Sequence, residues 1–327
     1  MKAIRVEKTG GPEVLSLQEV ASPGTPGAGQ ALVRIMVAGV NFFDVQQRRG
    51  NYPRPMPFTP GVEASGIVES VGEGVTGIKP SARVAWAMAP GAYAEAAVVD
   101  AAKLIPLPDD FSFEQGAAFS AQGITAHYLL HEFRKVKPGD VVLIHAAAGG
   151  LGLLVVQWAK GLGARVIGTV STEEKALAVR EAGADDAIIY TQQDFAAETM
   201  RLTDGHGADL VLDSVGKTTF AKSLDAAAVR GHVVCFGSAS GPADPIAPNA
   251  LMVKSLSVSG GAMANFMRTR EEVLRRAGDV ISAVQRGLIT LTIDRVFPLA
   301  DAAEAHRQLE GRRSSGKLLL ETSNARY

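Results

Sequence analysis

The stretch "HAAAGGLG" (145–152) sets Ala146, Gly149 and Gly152 at three-residue spacing, between the apolar run "VVLI" and an amphipathic segment. A turn of this kind at a helix start can hold an anion. Gly149 would let the backbone approach a pyrophosphate, and Gly152 would let the helix sit close to its strand. The helix start adds N–H donors and positive partial charge. The spacing resembles a dinucleotide-binding fingerprint with alanine in place of its first glycine. Taken alone the spacing could be tight packing, but the strand before it and the βα units after it favour a cofactor. In an NAD site an acid about 20 residues further on binds the ribose 2′-OH. Here "GTVSTEEK" (168–175) ends its strand without one. Ser171 and Thr172 can donate to a 2′-phosphate, and Lys175 lies one turn into the next helix. Alternatively, Ser171 only caps that helix and Lys175 is solvated. Glu173 and Glu174 oppose a phosphate but suit a helix N-terminus. NADPH is expected over NADH.

Other chemistries are poorly supplied. A catalytic zinc needs three protein ligands and a structural one usually four cysteines. The chain has one cysteine, Cys235, expected to be buried in "HVVCFG". His127 and His131 share a helical face but lack a third ligand nearby, and His145, His206, His232 and His306 are dispersed. No serine nucleophile elbow or clustered carboxylate pair is present. The chemistry is therefore expected to be metal-free and carried by the nicotinamide.

A length of 327 residues suits two domains rather than one core. Residues 1–122 read as short strands broken by Gly and Pro, such as "QALVRIMVAGV" and "GIVESVG", and predict a mostly β domain. Over 123–262 apolar runs alternate with helical patterns. The strands are "VVLIHAA", "ARVIGTV", "DAIIY", "DLVLDSV", "HVVCFG" and "LSVSGG". Continuous apolar strands imply a parallel sheet covered by helices on both faces. Asp194 can cap "FAAETMRLT", which stops at Gly205. In 263–327, "TREE" is a capping box that opens a helix through Gln285, and two further strands return to the first domain. The fold expected is α/β: a Rossmann doubly wound parallel sheet inserted in a mostly-β domain. The net charge of −1 argues against a nucleic-acid grip. The start "MKAIRVEKTGGPEV" has no apolar h-region, and no apolar run approaches the roughly 20 residues that span a bilayer. With its single cysteine, the chain reads as cytoplasmic.

These features resemble the quinone oxidoreductase (zeta-crystallin-like), zinc-free branch of the medium-chain dehydrogenase/reductase superfamily. The resemblance covers nearly the whole chain and rests on "AGVNFFDVQQRRGNYP" (38–53), "GVEASGIVESVGEGV" (61–75), "FEQGAAFSAQGITAHYLL" (113–130), "HAAAGGLG", "GTVSTEEK", "DSVG" (213–216), "CFGSASG" (235–241) and "SSGKLLL" (314–320). Zinc-dependent relatives carry a cysteine where this chain has Asn41, and a histidine where it has Val62 before Glu63. The resemblance implies a GroES-like catalytic domain, with NADPH between it and the Rossmann domain. It implies that Ala148, Gly149, Gly150, Leu151 and Gly152 hold the pyrophosphate. Ser171, Thr172, Lys175 and Tyr190 would surround the 2′-phosphate. Phe236, Gly237 and Ser238, with Gly260, Gly261 and Ala262, would lie on the nicotinamide side, and Thr125, Asn41 and Lys317 would also touch the cofactor. Asn41 and Tyr52 fall in the family's polar substrate pocket. Three departures stand out: Gln46 for a tyrosine of some relatives, Gly260-Gly261 for an Arg-Pro pair, and "PSARV" for "GDRV".

The activity implied is NADPH-dependent reduction of a quinone or an α,β-unsaturated carbonyl. Asn41 and Tyr52 would donate to the oxygen that gains charge. Tyr52 could instead be a loop aromatic covering the Pro-rich turn. Two other readings are enoyl-thioester reduction and an NADPH-binding structural or RNA-associated protein. An uncovered edge at "LSVSGG" suggests a homodimer paired across a two-fold axis.

Overall fold

The computed structural model describes residues 1–311 and 313–326, and of Arg326 only the backbone. Two compact units emerge: Met1–Ile124 with Phe266–Gly278 and Ile293–Tyr327, and Thr125–Asn265 with Asp279–Thr292.

In the first unit β1 (Lys2–Val6) and β2 (Leu15–Glu19) form an antiparallel pair. Then come β3 (Gln30–Val40), β4 (Glu63–Val71), β5 (Arg83–Ala87), β6 (Ala96–Asp100) and β7 (Ile105–Pro106). Helix α1 (Phe42–Arg49) follows β3 and ends at Gly50, whose φ of 86° suits glycine. Helix α2 (Phe113–Tyr128) follows β7. It starts with a complete capping box, in which Ser112 and Gln115 each accept the other's backbone N–H.

The second unit is built on six strands: β8 (Val141–Ile144), β9 (Arg165–Val170), β10 (Asp186–Ile189), β11 (Ala208–Asp213), β12 (Ala227–Cys235) and β13 (Ser257–Gly260). All pair in parallel, in the order β10-β9-β8-β11-β12-β13. The helices between them are α3 (Gly150–Gly161), α4 (Glu173–Glu181), α5 (Phe195–Leu202) and α6 (Phe220–Ala226). Every residue of β8 is buried, as its unbroken apolar run predicts. Asp194 caps α5 by accepting the N–H groups of Ala196 and Ala197.

The chain closes with α7 (Arg270–Gln285), β14 (Ile293–Pro298), α8 (Ala302–Glu310) and β15 (Lys317–Glu321). Strand β15 pairs with β3, so the C-terminal strands extend the first unit's sheet in the order β14-β15-β3-β4-β5-β7. The first unit's core is formed from Val33, Ile35, Val68, Trp86, Tyr93 and Leu318, among others.

Local details differ from the sequence reading. The cap of α4 is Thr172, one residue after Ser171, and it accepts the Lys175 N–H at 3.3 Å. Glu272 reaches the Arg268 N–H rather than that of Thr269, so only half of the "TREE" box forms. Cys235 is half-buried rather than buried. Among the described residues no helix is long and apolar enough to cross a membrane.

Candidate active site

In the six-stranded sheet the chain runs outward from β8 to β10, then returns to the other side of β8 as β11. Because all six strands are parallel, the segments leaving their carboxyl ends lie along one rim. A ligand crevice is expected where the order reverses, between β8 and β11. The turn 145–152 leaves β8 at that place. Its second residue, Ala146, has φ 52°, the left-handed region that strains a residue with a Cβ by about 1–2 kcal/mol. Glycine usually fills such a position. The turn is held by the Ala147 N–H on Thr169 O at 3.2 Å and the Gly149 N–H on Ala146 O at 3.0 Å. Gly150, Leu151 and Gly152 form the first turn of α3, where backbone N–H groups have no acceptor within the helix. A Cβ on Gly149 would meet only Ala146 O, at 3.3 Å. One on Gly152 would lie 2.5 Å from the carbonyl oxygens of both Ala146 and Ala147. The first glycine leaves space on the open side; the second fits helix to strand. Ala148 is buried beneath the turn.

Ser171 and Thr172 follow β9, and Tyr190 follows β10 with its N–H on Val170 O. Thr191 Oγ1 donates to Ser171 O at 3.1 Å, which ties the two loops together. Lys175, one turn into α4, lies beside the same loop. Phe236, Gly237 and Ser238 leave β12, and Gly260, Gly261 and Ala262 end or leave β13 beside it. The Gly261 N–H donates to Cys235 O, and a Cβ on Gly261 would come within 3.2 Å of Phe236 Cβ. Thr125 joins this group, its hydroxyl 3.5 Å from Met263 Sδ.

The rim is braced by a buried network that the sequence reading left unassigned. His145 lies between Thr169 Oγ1 (2.9 Å from Nδ1) and Ser223 Oγ (3.0 Å from Nε2). Ser223 donates to Asp213 Oδ2 at 2.8 Å. Asp213 Oδ1 accepts the N–H groups of Val215 and Gly216, which ends β11 before "SVG". With Ser223 donating to Asp213, His145 Nε2 must carry the ring proton. Burial pushes the imidazole down to about 4, the Asp213 charge only partly opposing it. The serine stands between acid and imidazole, an order that cannot activate a nucleophile.

In the other unit, Asn41 is the N-cap residue of α1. Asp44 holds its backbone by accepting the Asn41 N–H at 2.9 Å. The Asn41 amide also has partners outside the helix: Oδ1 accepts from Lys317 Nζ at 2.8 Å and Nδ2 donates to Glu63 Oε2 at 2.9 Å. Lys317, expected on the cofactor, is 1% exposed in its side chain, and its ammonium lies 2.5 Å from Glu63 Oε2. An ammonium held by both Asn41 and Glu63 is a poor host for a second cation, since like charges at this separation repel strongly. Among the described residues, no three His, Cys, Asp or Glu side chains are grouped as metal ligands. Tyr52 is 48% exposed, and the chain doubles back after Gly50 to set its ring 5.0 Å from that of Phe43. Tyr52 thus packs on Phe43, two residues after Asn41. Gln46 is largely buried and receives the Asn51 side-chain amide. Glu63 and Asp44 escaped the sequence reading, although an acid opening the apolar strand "EASGIV" was a visible signal.

Residues 150–279 match the family described as zinc-binding dehydrogenase, and residues 27–109 match the alcohol dehydrogenase GroES-like domain. The chain is 42% identical to a 2-haloacrylate reductase of Burkholderia sp., over 96% of this chain and 97% of that one. It is 40% identical to quinone oxidoreductase 1 of Escherichia coli, over 97% and 99%. A solved structure of the Escherichia coli quinone oxidoreductase complexed with NADPH superposes with a TM-score of 0.95, at 40% identity, covering 98% of this chain and all (100%) of that one.

Proposed function

Because the chain belongs to the quinone oxidoreductase family of the medium-chain dehydrogenase/reductase superfamily, we propose that it is a zinc-independent, NADPH-dependent reductase of quinones or related α,β-unsaturated carbonyls. The observation that carries this is the 145–152 turn at the sheet's switch point, followed by a second strand that ends in Ser171 and Thr172 rather than an acid. The N–H groups of Gly150, Leu151 and Gly152 suit a pyrophosphate. Ser171, Thr172, Lys175 and Tyr190 suit the 2′-phosphate. Phe236 to Ser238, Gly260 to Ala262 and Thr125 would face the nicotinamide. When bound, NADPH would supply a hydride to the acceptor. The Asn41 amide would donate to the acceptor oxygen as charge develops, and the Tyr52 hydroxyl would donate or pass a proton to the same oxygen.

A panel of quinones, enones and a 2-enoyl thioester, run with NADPH and with NADH, tests this. Quinone turnover with NADPH is expected to exceed that with NADH by about tenfold or more, since a bound phosphate gains charge-assisted hydrogen bonds. Tyr52→Phe is expected to slow turnover of at least one acceptor class. Equal use of NADH, or Tyr52→Phe unchanged on every acceptor, would remove the corresponding assignments. The 2-haloacrylate reductase relative favours a second reading, in which the acceptor is an activated alkene. The same panel separates the two.

A homodimer is part of the proposal. Strand β13 ends the six-stranded sheet, and Val229, Met252 and Val253 expose apolar side chains nearby, tied by the Arg230 N–H on Lys254 O. An open edge beside exposed apolar groups is a pairing surface. Val253→Asp is expected to convert the dimer to monomer in sedimentation, and a monomeric wild type would refute the assembly. A reducing, cytoplasmic setting suits the lone cysteine.

A further inference from the structure

Asparagine at a helix N-cap ordinarily accepts a backbone N–H of the first turn. At Asn41 the backbone carbonyl accepts the Asp44 N–H at 3.0 Å, and the side-chain amide reaches beyond the cap to Lys317 and Glu63. An ammonium can only donate and a carboxylate only accept, so the pair admits a single amide orientation, oxygen to Lys317 and nitrogen to Glu63. Sheet register places the partners there. Leu318 pairs with Val40 and Ala38 pairs with Ala64, which sets Lys317 beside Asn41 and Glu63 beside Gly39. Gly39 leaves no room for a side chain: a Cβ would strike the Glu63 carboxylate and Ala117 O. The second Glu63 oxygen is anchored by Ser120 Oγ at 3.0 Å and by the Ala121 N–H. Glu63 and Lys317 are 0% and 1% exposed in their side chains. A buried ion pair is a weak source of stability, because desolvation offsets most of the attraction. What this pair does is fix an amide. One Asn41 N–H goes to Glu63, and the other meets only Gly39 O at 3.4 Å, near the outer limit of a hydrogen bond.

We propose that Glu63 and Lys317 are positioning residues that lock the Asn41 amide and so present its second N–H to the acceptor oxygen. This rests on the reading of Asn41 as that oxygen's donor. Lys317 also polarises the amide through its oxygen, which strengthens the N–H as a donor.

The experiment is a double-mutant cycle on the full chain, with 1,4-naphthoquinone and NADPH as probes. Glu63→Gln/Lys317→Met removes both charges together, so neither is left buried alone. The double variant is expected to lower kcat by about tenfold or more, as misplacement of a reacting group does. Its NADPH dissociation constant and melting temperature should stay close to those of the wild type. In an Asn41→Ala background the same pair of changes should have no further effect on kcat. An equal loss with and without the amide, or an unchanged kcat in the double variant, overturns the proposal. A second readout is independent of turnover. The Asn41 side-chain amide proton bonded to Glu63, assigned by its loss in Asn41→Ala, should exchange slowly with solvent in NMR and should exchange faster in the double variant. Fast exchange in the wild type also overturns the lock. Failure of the wild type to reduce any acceptor sinks the functional reading instead, and the NMR result still decides the lock.

Discussion

Gly152→Ala is expected to weaken NADPH binding by about 100-fold. The added Cβ would sit 2.5 Å from two carbonyl oxygens and 2.6 Å from the Ala147 carbonyl carbon. These atoms are backbone, and the turn that carries them is pinned by the Ala147 bond to Thr169 O. The helix must therefore yield. Seven of its residues, Gly152 to Val156 with Trp158 and Ala159, are buried, so a shift of its start disturbs a packed face at about 1–3 kcal/mol. The same shift would move the N–H groups of Gly150, Leu151 and Gly152 away from the proposed pyrophosphate position. Losing two charge-assisted bonds of about 1.5 kcal/mol each gives about 3 kcal/mol, or about 100-fold in affinity. Gly149→Ala is the contrasting case. Gly149 has φ −73°, which any residue adopts, and its Cβ would meet one atom at 3.3 Å. Melting temperature should hardly change there, while affinity falls because the methyl group projects where the pyrophosphate would lie. Fluorescence titration with NADPH and a thermal melt on each variant check the pair. Wild-type affinity in both would remove the phosphate cradle.

That contrast was partly legible in the sequence, because strand, turn and helix are contiguous and each glycine's role follows from local geometry. The parallel sheet was legible for the same reason: its strands are unbroken apolar runs. Element ends were less so. The apolar run predicts β11 through Val215, but Asp213 turns its carboxylate onto the next N–H groups and stops the ladder two residues earlier. The α4 cap moved from Ser171 to Thr172 because either hydroxyl could serve and only the backbone path chooses. The Asn41 lock was not legible at all. Its partners lie 22 and 276 residues away in sequence, and only the β15-β3-β4 register brings them together. A lysine opening "KLLLE" and a glutamate opening "EASGIV" were each visible as a charge in an apolar strand. Nothing in sequence spacing paired them.

Acidification from pH 7.5 to pH 5 is expected to destabilise the two units unequally. In the nucleotide-binding unit, burial holds His145 down at about 4, and it also lowers His131 and His232. The folded state keeps the His145 ring neutral, while the unfolded chain takes up a proton near pH 6.5. Stability from such a group is complete above 6.5 and is lost as pH falls toward the folded value. At pH 5 the loss from His145 alone is about 2 kcal/mol. The other unit contains two opposed groups in one chain of hydrogen bonds. Arg48 Nη1 lies 3.2 Å from His306 Nδ1, His306 Nε2 lies 3.1 Å from Tyr93 Oη, and Tyr93 donates to Asp44 Oδ2 at 3.1 Å. Burial, with help from the Arg48 charge, pushes His306 down to about 3. Burial also pushes Asp44 up to about 7, only partly opposed by the Asn41 N–H, and Asp44 Oδ1 has no hydrogen-bond partner. On acidification Asp44 gains its proton in the folded state first, which adds about 2–3 kcal/mol by pH 5 and offsets the about 2 kcal/mol lost at His306. Trp86 lies in this unit and Trp158 in the other, so single-tryptophan variants report each separately in urea. The Trp158 midpoint should fall clearly between pH 7.5 and pH 5, and the Trp86 midpoint should barely move. Asp44→Asn removes the opposing contribution and should make the Trp86 midpoint fall on acidification as well. A Trp158 midpoint that ignores pH would reject the neutral His145, and an Asp44→Asn variant as flat as its parent would reject the compensation.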